Sequence, residues 1–234
     1  MVDNIFASFV DFLAPARCFW CAGNSRVLPA CEGCRSALPW NLPACRACAM
    51  PLPSGGATSV CGDCLTDAPP QASSWAAFRY VSPVAQAIVE LKFHRRLAAA
   101  RVVGQLMAEC LARRALPMPQ VLIPMPLHAN RLRSRGYNQS LELGREVART
   151  LSLPIEPHAA RRIRATQEQT RLDAAARRRN VRGAFAVESG VVRGRHVVLL
   201  DDVITTGATA AELARATLAA GAARVEVWAA ARVV

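Results

Sequence analysis

The sequence has no long hydrophobic run. No segment approaches the roughly 20 consecutive apolar residues that a membrane-spanning helix needs, so we expect no membrane span. Residues Met1–Asn4 contain no basic group, and Asp11 interrupts the short apolar stretch that follows, so a secretory signal is not expected. Without such a signal we expect a cytoplasmic protein whose cysteine thiols stay reduced.

Acidic and aromatic residues are also scarce. The chain has 17 Asp and Glu against 29 Lys and Arg, a net charge of +12, and arginine greatly outnumbers lysine. This excess favours phosphate-rich ligands, either a diphosphate or a nucleic acid backbone, and charge alone does not choose between them. No low-complexity tract is present, and no repeat apart from the cysteine pairs. The 234 residues, 52% apolar, suffice for one α/β domain with a small appendage.

One segment, Val197–Thr209, combines a strand pattern with unusual polar residues. Four apolar residues predict a buried parallel strand, at the end of which we expect Asp201 and Asp202. A helix is predicted over Ala210–Ala220. The turn between strand and helix consists of Thr205, Thr206, Gly207, Ala208 and Thr209.

This arrangement suits a pentose phosphate. The amino end of a helix has unpaired N–H groups and accepts a phosphate, and Gly207 lets the backbone approach it closely. Threonine hydroxyls add hydrogen bonds. The carboxylates of Asp201 and Asp202, expected to face solvent, suit two neighbouring hydroxyls or a bridging magnesium ion. The alternative is an ordinary strand–helix turn capped by threonine.

The cysteines form a second motif. Eight of the nine lie in four Cys-x-x-Cys pairs, with nine to twelve residues between pairs, as in zinc ribbons. A two-residue gap lets both thiolates of a pair reach one tetrahedral ion. The segment buries little core, so bound zinc would supply its folding energy. The predicted ligands are Cys18, Cys21, Cys31, Cys34, Cys45, Cys48, Cys61 and Cys64.

Several alternatives remain for these cysteines. Disulfides and redox-active pairs are the minor ones. Zinc could be shared in tandem (the first four ligands, then the last four) or in a crossed arrangement, and one ion with a partly empty second site is also possible. Cys110 stands alone in a helical pattern and is predicted to fill core space.

The remaining elements follow from hydrophobic periodicity. A helix over residues 3–14 is amphipathic, with an apolar face that is expected to dock on another surface, or alternatively on a membrane surface. The basic residues 92–96 end one helix, as a solvated end or as a ligand contact. Strands are predicted at 75–80, 121–126 and 225–229, a β-hairpin at 185–192, helices at 83–93, 97–114 and 140–151, and a linker at 65–73.

Residues 127–139 are predicted to form a long basic loop at the carboxyl end of a strand, where sheet proteins bind ligands. Arg131, Arg133 and Arg135 can each place two N–H groups on phosphate oxygens. Gly136 permits an unusual backbone angle beside them. A solvated basic loop is the alternative.

Two resemblances follow from these motifs. Val197–Thr209 is similar to the phosphoribosyl pyrophosphate motif of type I phosphoribosyltransferases at all its positions. The order of zinc ribbon, Pro-x-Pro-Leu-His at 124–128, Arg-Leu-Arg-x-Arg-Gly-Tyr-Asn-Gln at 131–139 and the aspartate motif resembles the competence protein F family. Residues 164–172 and 179–185 carry further signs of it. That family is phosphoribosyltransferase-like and linked to uptake of transforming DNA.

The resemblance implies a Rossmann-like parallel α/β sheet in residues 71–234 and an N-terminal helix with a double zinc ribbon in 1–70. It implies transfer of a phosphoribosyl group from magnesium-bound phosphoribosyl pyrophosphate to an unknown acceptor. Asp201 and Asp202 would hold the ribose hydroxyls and Thr205–Thr209 the 5-phosphate. Pyrophosphate would be held by His128, Arg131, Arg133, Arg135, Gly136 and Asn138; the catalytic residues would be Asp201, Asp202, Arg131 and Arg135.

A flexible loop over residues 161–182 is expected by the same resemblance to close the site through Arg164, Gln169, Thr170 and Arg171. Nucleic acid contact is the competing interpretation for Arg177–Arg179, and solvated charge a third. A second function of another class also fits. The protein would then bind single-stranded DNA or a competence helicase without catalysis and use the site as a sensor, although Phe19, Trp20 and Trp40 are the few aromatics near the cysteines.

Overall fold

A computed structural model of the chain describes residues 17–25, 29–53, 59–114, 117–164 and 181–234. The predicted helix over 3–14 lies outside these residues. The described strands are β1 (Ser73–Arg79), β2 (Val121–Pro124), β3 (Ala160–Arg162), β4 (Phe185–Val187), β5 (His196–Ile204) and β6 (Arg224–Arg232). The described helices are α1 (Glu32–Ser36), α2 (Gly62–Thr66), α3 (Val84–Phe93), α4 (Leu97–Ala112), α5 (Ala129–Arg135), α6 (Gln139–Leu151), α7 (Ser189–Val192) and α8 (Ala208–Ala219).

Four strands form a parallel sheet in the order β1-β6-β5-β2. Its central strands are continuous apolar runs, as expected where helices cover both faces of a parallel sheet. On one face Leu200 and Trp228 pack with α3, α4 and α6; on the other Leu199 and Val227 pack with α8. The predicted parallel α/β sheet is thus confirmed, in three layers.

The carboxyl end of β5 departs from the prediction. The pairing of β5 with β2 stops at Leu200, but its pairing with β6 continues to Ile204. Asp201 and Asp202 therefore lie within a strand and not at its end. Because β2 has already ended, one flank of the doublet is open to side chains from the helices.

Two further expectations were wrong. Residues Phe185–Val187 pair in antiparallel fashion with Ala160–Arg162, and residues 189–192 are helical, so no hairpin forms there. The segment 127–139 is not a continuous loop, because Ala129–Arg135 form helix α5, which Gly136 ends in the left-handed conformation.

Both outer strands of the sheet are covered by irregular backbone. Beside β1, Asn41 N donates to Ala77 O, and Arg79 N donates to Pro39 O. Beside β2, Leu122 N donates to Pro154 O, and Glu156 N donates to Leu122 O. The backbone groups of the two edge strands are thereby partly satisfied without further strands.

The cysteine-rich segment packs directly on the sheet. Trp40 bridges to Phe78 of β1, with ring centroids 4.6 Å apart. Arg35 forms an ion pair with Glu109 of α4 at 2.7 Å. Among the described residues, no helix is both long and apolar enough to cross a membrane.

Candidate functional site

The eight paired cysteines form two groups of four in tandem. Within each group the Sγ atoms lie within 4.8 Å of one another. The tandem arrangement is therefore the one adopted, and the crossed one is not. The first cluster is Cys18, Cys21, Cys31 and Cys34; the second cluster is Cys45, Cys48, Cys61 and Cys64. Half-buried Cys110 belongs to neither.

Both clusters fit zinc. The Sγ atoms of Cys21 and Cys31 are 3.6 Å apart, as are those of Cys48 and Cys61. A tetrahedral ion with Zn–S bonds of about 2.3 Å requires a separation close to this, and a disulfide is far shorter. Burial opposes ionisation, but backbone N–H groups lower the pKa of Cys18 to about 6 and that of Cys45 to about 7. Neighbouring thiols and burial raise the pKa of Cys34, Cys48 and Cys64, so without metal one thiol in each cluster ionises first. These are two four-cysteine sites for structural zinc.

The two aspartates of β5 have different surroundings. Asp202 is only 4% exposed, and its Oδ2 lies 2.6 Å from Nζ of Lys92. Asp201 is half-buried and accepts a hydrogen bond from Ser140 Oγ at 3.2 Å. Burial and the neighbouring Asp202 raise the pKa of Asp201 to about 8. The expectation of a solvent-facing pair is therefore wrong for Asp202, whose carboxylate is held by an ammonium group.

The pairing of Lys92 with Asp202 is the main feature of the site that sequence reasoning missed. The helix end that contains Lys92 was interpreted as solvated or as a ligand contact, whereas its ammonium group neutralises Asp202. Burial alone would lower its pKa, but Asp202 raises it above the ordinary value. A signal was available, because Lys92 is the only lysine among the 29 basic residues of the chain. An ammonium is more compact than a guanidinium and suits a confined carboxylate.

Two predicted pyrophosphate ligands are helix caps. Asn138 Oδ1 accepts from Ser140 N at the start of α6, and Asn138 Nδ2 donates to Met125 O. His128 Nδ1 accepts from Asn130 N at the start of α5. Since Ser140 in turn contacts Asp201, Asn138 orients the helix end that supports the doublet. No finding tests direct ligand contact by either residue, which stays a prediction.

The three arginines of α5 lie on a short basic helix. Arg133 donates to Asn130 Oδ1 at 2.6 Å, and Arg135 donates to Gln139 Oε1 at 2.6 Å. Burial lowers the pKa of the half-buried Arg162, and the positive charge of Arg131 lowers it further. The negative charge of Asp201 raises it. Arg162, which the sequence did not single out, thus shares its surroundings with Arg131 and Asp201.

The turn after β5 has the features that its sequence predicts. Thr205 and Thr206 are exposed, and Gly207 has a φ of +79° at the start of α8. The N-cap residue, Gly207, has no side chain that could cap this helix; Ala208 N donates a long hydrogen bond to Thr206 Oγ1 at 3.4 Å. The first turn of a helix has N–H groups without intrahelical partners, and with two exposed threonines beside them this helix end suits an anion.

A cleft of about 1160 Å³ separates this turn from the cysteine-rich segment. Its walls are the turn, the exposed side of α8, and the second cluster with the residues that follow it. Arg182, Arg215 and Arg232 add positive charge, and Asp63, Asp67 and Glu212 add negative charge. Asp201 and Asp202 do not line it, so they approach the turn from another side.

Arg164 is one of four residues predicted to close the site. Its Nη1 donates to Arg182 O at 2.8 Å, and Arg182 lines the cleft. The other three, Gln169, Thr170 and Arg171, lie outside the described residues, as do Arg177–Arg179.

Comparison with known proteins agrees with these motifs. Residues 9–65 match the double zinc ribbon domain. The chain is 41% identical over 181 residues to the DNA utilization protein YhgH of Escherichia coli O157:H7, covering 76% of this chain and 79% of that protein. It is 32% identical over 224 residues to competence protein F of Haemophilus influenzae, covering 92% of this chain and 96% of that protein. The chain belongs to the competence protein F family.

A solved structure with a similar fold is the glutamine phosphoribosylpyrophosphate amidotransferase from B. subtilis. The likeness has 23% sequence identity and a TM-score of 0.40. It covers 57% of this chain, which spans about a quarter (26%) of the amidotransferase.

Proposed function

We propose that the chain binds phosphoribosyl pyrophosphate and transfers its phosphoribosyl group to an acceptor. The observation that carries this proposal is the amino end of α8, which begins after Gly207 and the exposed Thr205 and Thr206, directly after the strand that contains Asp201. A phosphate on the turn and a sugar hydroxyl on the carboxylate are a short strand segment apart. Their succession along the chain supports recognition of a ribose 5-phosphate unit.

The doublet is not symmetric in this proposal. Asp201 is the half-buried carboxylate and is assigned to the ribose hydroxyls. Asp202 remains assigned to the same diol, and its contact with Lys92 at 2.6 Å sets its charge and direction. Because Lys92 already neutralises Asp202, the doublet is a poor place for a bridging Mg²⁺. We therefore assign magnesium to the diphosphate of the ligand, with which it would enter.

In the transfer, the bond between C1 of ribose and diphosphate breaks, and diphosphate leaves with the electron pair. The acceptor then forms a bond to C1 and releases its proton to solvent. The protein contributes charge stabilisation of the leaving diphosphate, for which Arg131, Arg133 and Arg135 are the candidates. The acceptor would enter through the cleft beside the second cluster.

Ligand binding is tested by calorimetric titration with phosphoribosyl pyrophosphate and magnesium, and with ribose 5-phosphate alone. The variant Thr205→Val/Thr206→Val removes both exposed hydroxyls and is expected to weaken both ligands about tenfold or more. Thr150→Val is the matched control, because its hydroxyl only donates to Glu146 O on α6. Equal affinities in wild type and the double variant would contradict the proposal.

Catalysis needs a separate measurement. Release of pyrophosphate is followed in a screen of nucleobases and oligonucleotides as acceptors. Asp201→Asn is expected to abolish release. Binding of phosphoribosyl pyrophosphate without release for every acceptor would favour the sensor alternative.

The second candidate is a non-catalytic protein that binds single-stranded DNA or a competence helicase. The net charge of +12 favours it, and one relative is named a DNA utilization protein. In that case the affinity for a single-stranded oligonucleotide falls steeply as salt rises from 50 to 200 mM, by roughly 300-fold if six phosphates are contacted. Asp201→Asn leaves it unchanged, and nearly salt-independent binding contradicts electrostatic contact.

The division of the chain at residue 70, with a zinc-binding part before it and a phosphoribosyltransferase-like part after it, is proposed on the same grounds. A cytoplasmic location is proposed as well, since eight zinc-binding thiols need a reducing compartment. Fractionation of cells that express the chain tests the location.

A further inference from the structure

Arg232, near the end of β6, joins two parts of the molecule that sequence reasoning treats separately. It is only 4% exposed. Its Nε donates to Cys48 O of the second cluster at 3.1 Å. Its Nη1 donates to Ile204 O at 3.2 Å, to Thr205 O and to Val233 O at 2.7 Å. One guanidinium therefore bonds both the cysteine-rich backbone and the first residue of the Thr205–Thr209 turn.

The charge of this guanidinium is balanced by the second cluster. A buried cation is costly unless an opposite charge lies near it, and every hydrogen-bond partner given above is a neutral carbonyl. The Nε of Arg232 lies 3.1 Å from the carbonyl oxygen of Cys48, one of the ligands of the second cluster. Four thiolates around one Zn²⁺ carry a net double negative charge, so the zinc-loaded second cluster is the counter-charge that keeps Arg232 in place.

We propose that Arg232 is a positioning residue through which the zinc-loaded second cluster holds the Thr205–Thr209 turn in its phosphate-binding shape. The inference rests on the proposed function of this turn. It gives the two clusters different roles. The first cluster is tied to the sheet domain through Arg35 and Glu109 of α4, at 2.7 Å, a contact that does not reach the turn.

Amide hydrogen exchange of the zinc-loaded full chain tests the contact without any ligand. In Arg232→Gln, the amides of Ala208 and Ala211, which donate to Thr206 Oγ1 and Gly207 O, are expected to exchange about tenfold faster than in wild type, because the turn loses its anchor. Arg35→Gln is the matched control, since it removes another arginine between the cysteine-rich segment and the sheet domain. Its turn amides should exchange as in wild type. Unchanged exchange in Arg232→Gln overturns the inference.

A conservative variant separates geometry from charge. Arg232→Lys keeps the positive charge, but a single ammonium cannot reach Cys48 O and Thr205 O on opposite sides. We expect exchange as fast as in Arg232→Gln. Wild-type exchange in the lysine variant would show that charge alone suffices, which overturns the bridging role. Zinc content and urea unfolding of each variant establish that it is folded.

The role of the metal is tested by one cysteine from each cluster. Cys64→Ser is expected to speed turn exchange as Arg232→Gln does, and Cys34→Ser to leave it unchanged. Equal effects of the two variants contradict an asymmetric role. If Cys64→Ser does not fold, the two Arg232 variants decide the question by themselves.

Calorimetry with phosphoribosyl pyrophosphate then connects the turn to binding. Arg232→Gln is expected to weaken binding at least tenfold, and Arg35→Gln to leave it unchanged. Faster exchange with unchanged affinity would overturn the positioning role. If wild type does not bind this ligand, the proposed function fails, whereas the exchange data still decide whether Arg232 and the second cluster order the turn.

Discussion

At the scale of single residues, the aspartate doublet combines one paired and one poorly compensated carboxylate. Asp202 is buried against Lys92, and Asp201 has a hydroxyl and a backbone N–H as its partners. The composition offered a signal at this position, because Lys92 is the single lysine in a chain with 28 arginines. The pairing itself was not predictable, because Lys92 and Asp202 are 110 positions apart and only the packing of α3 beside β5 brings them together.

Replacement of Lys92 by methionine is expected to lower the free energy of unfolding by about 3–5 kcal/mol, because Asp202 is left buried and unpaired. Arg149→Met is the control: it removes an exposed ion pair with Glu146 at 2.9 Å, worth about 0.3–0.5 kcal/mol. Urea unfolding measures both. The double variant Lys92→Met/Asp202→Asn should recover about 1 kcal/mol or more. No recovery would show that packing of the lysine stem, and not its charge, is what stabilises the fold.

The raised pKa of Asp201 makes stability depend on pH. Folding raises this pKa from 3.8 to about 8, so between these values the folded state binds the proton more strongly than the unfolded state. This group therefore lowers stability progressively as pH rises from about 4 to 8. Asp201→Asn removes the effect and keeps an oxygen for Ser140. At pH 8 it should be more stable than wild type by about 1–2 kcal/mol, while ligand binding is lost.

Thermal melts between pH 4 and 9 test this expectation. The exposed Glu188 gives the control variant Glu188→Gln, which should melt in parallel with wild type at every pH. A melting temperature of Asp201→Asn that follows wild type across this range would mean that Asp201 is ionised in the folded protein without cost.

At the scale of elements, the sequence predicted the longer helices and the positions of the four sheet strands along the chain, because hydrophobic periodicity is a local property. It placed the end of β5 too early, since two aspartates are poor strand residues, but pairing with β6 outweighs that preference. The hairpin at 185–192 was wrong because the true partner of β4 is Ala160–Arg162, and pattern alone does not identify a distant partner. Helix α5 was not predicted, because its arginines indicated a basic loop.

The contact between α4 and α6 depends on a glycine. A Cβ on Gly104 would lie 2.7 Å from Cβ of Glu146 and 3.1 Å from Leu143 O. Gly104→Ala is thus expected to lower the free energy of unfolding by about 1–3 kcal/mol, despite the higher helix propensity of alanine. Gly190 of α7 has open space around its Cβ position, so Gly190→Ala should be neutral or stabilising. Chemical denaturation compares them; a stabilised Gly104→Ala would mean that the two helices can separate at little cost.

At the scale of the whole molecule, the two zinc clusters hold together a segment with little core of its own. Its described helices, α1 and α2, are five residues each and begin directly after Cys31 and Cys61. Metal therefore supplies the folding free energy of this part. The cysteine spacing predicted the ligands, and the structure chose the tandem grouping. The contact of this part with β1 through Trp40 and Phe78 could not be predicted from the sequence. It depends on the shapes of two folded surfaces and not on hydrophobic periodicity or residue spacing.

Native mass spectrometry is expected to find two zinc ions per chain and one in Cys34→Ser. A strong chelator should remove both ions and lower the melting temperature, since the bound metal stabilises only the folded form. Trp40 fluorescence would follow the loss of packing on Phe78. A chain that keeps its melting temperature without metal would show that the cysteine-rich segment folds by other means.

The backbone at residues 39–41 has a consequence for how this protein can be divided. A fragment that starts at residue 71 would leave β1 without its cover, and the freed N–H and C=O groups would seek another strand. Such a fragment should self-associate through β1 and precipitate as its concentration rises. The zinc-binding part thus keeps the sheet soluble by covering its edge strand. Functional tests of the sheet domain therefore need the intact chain.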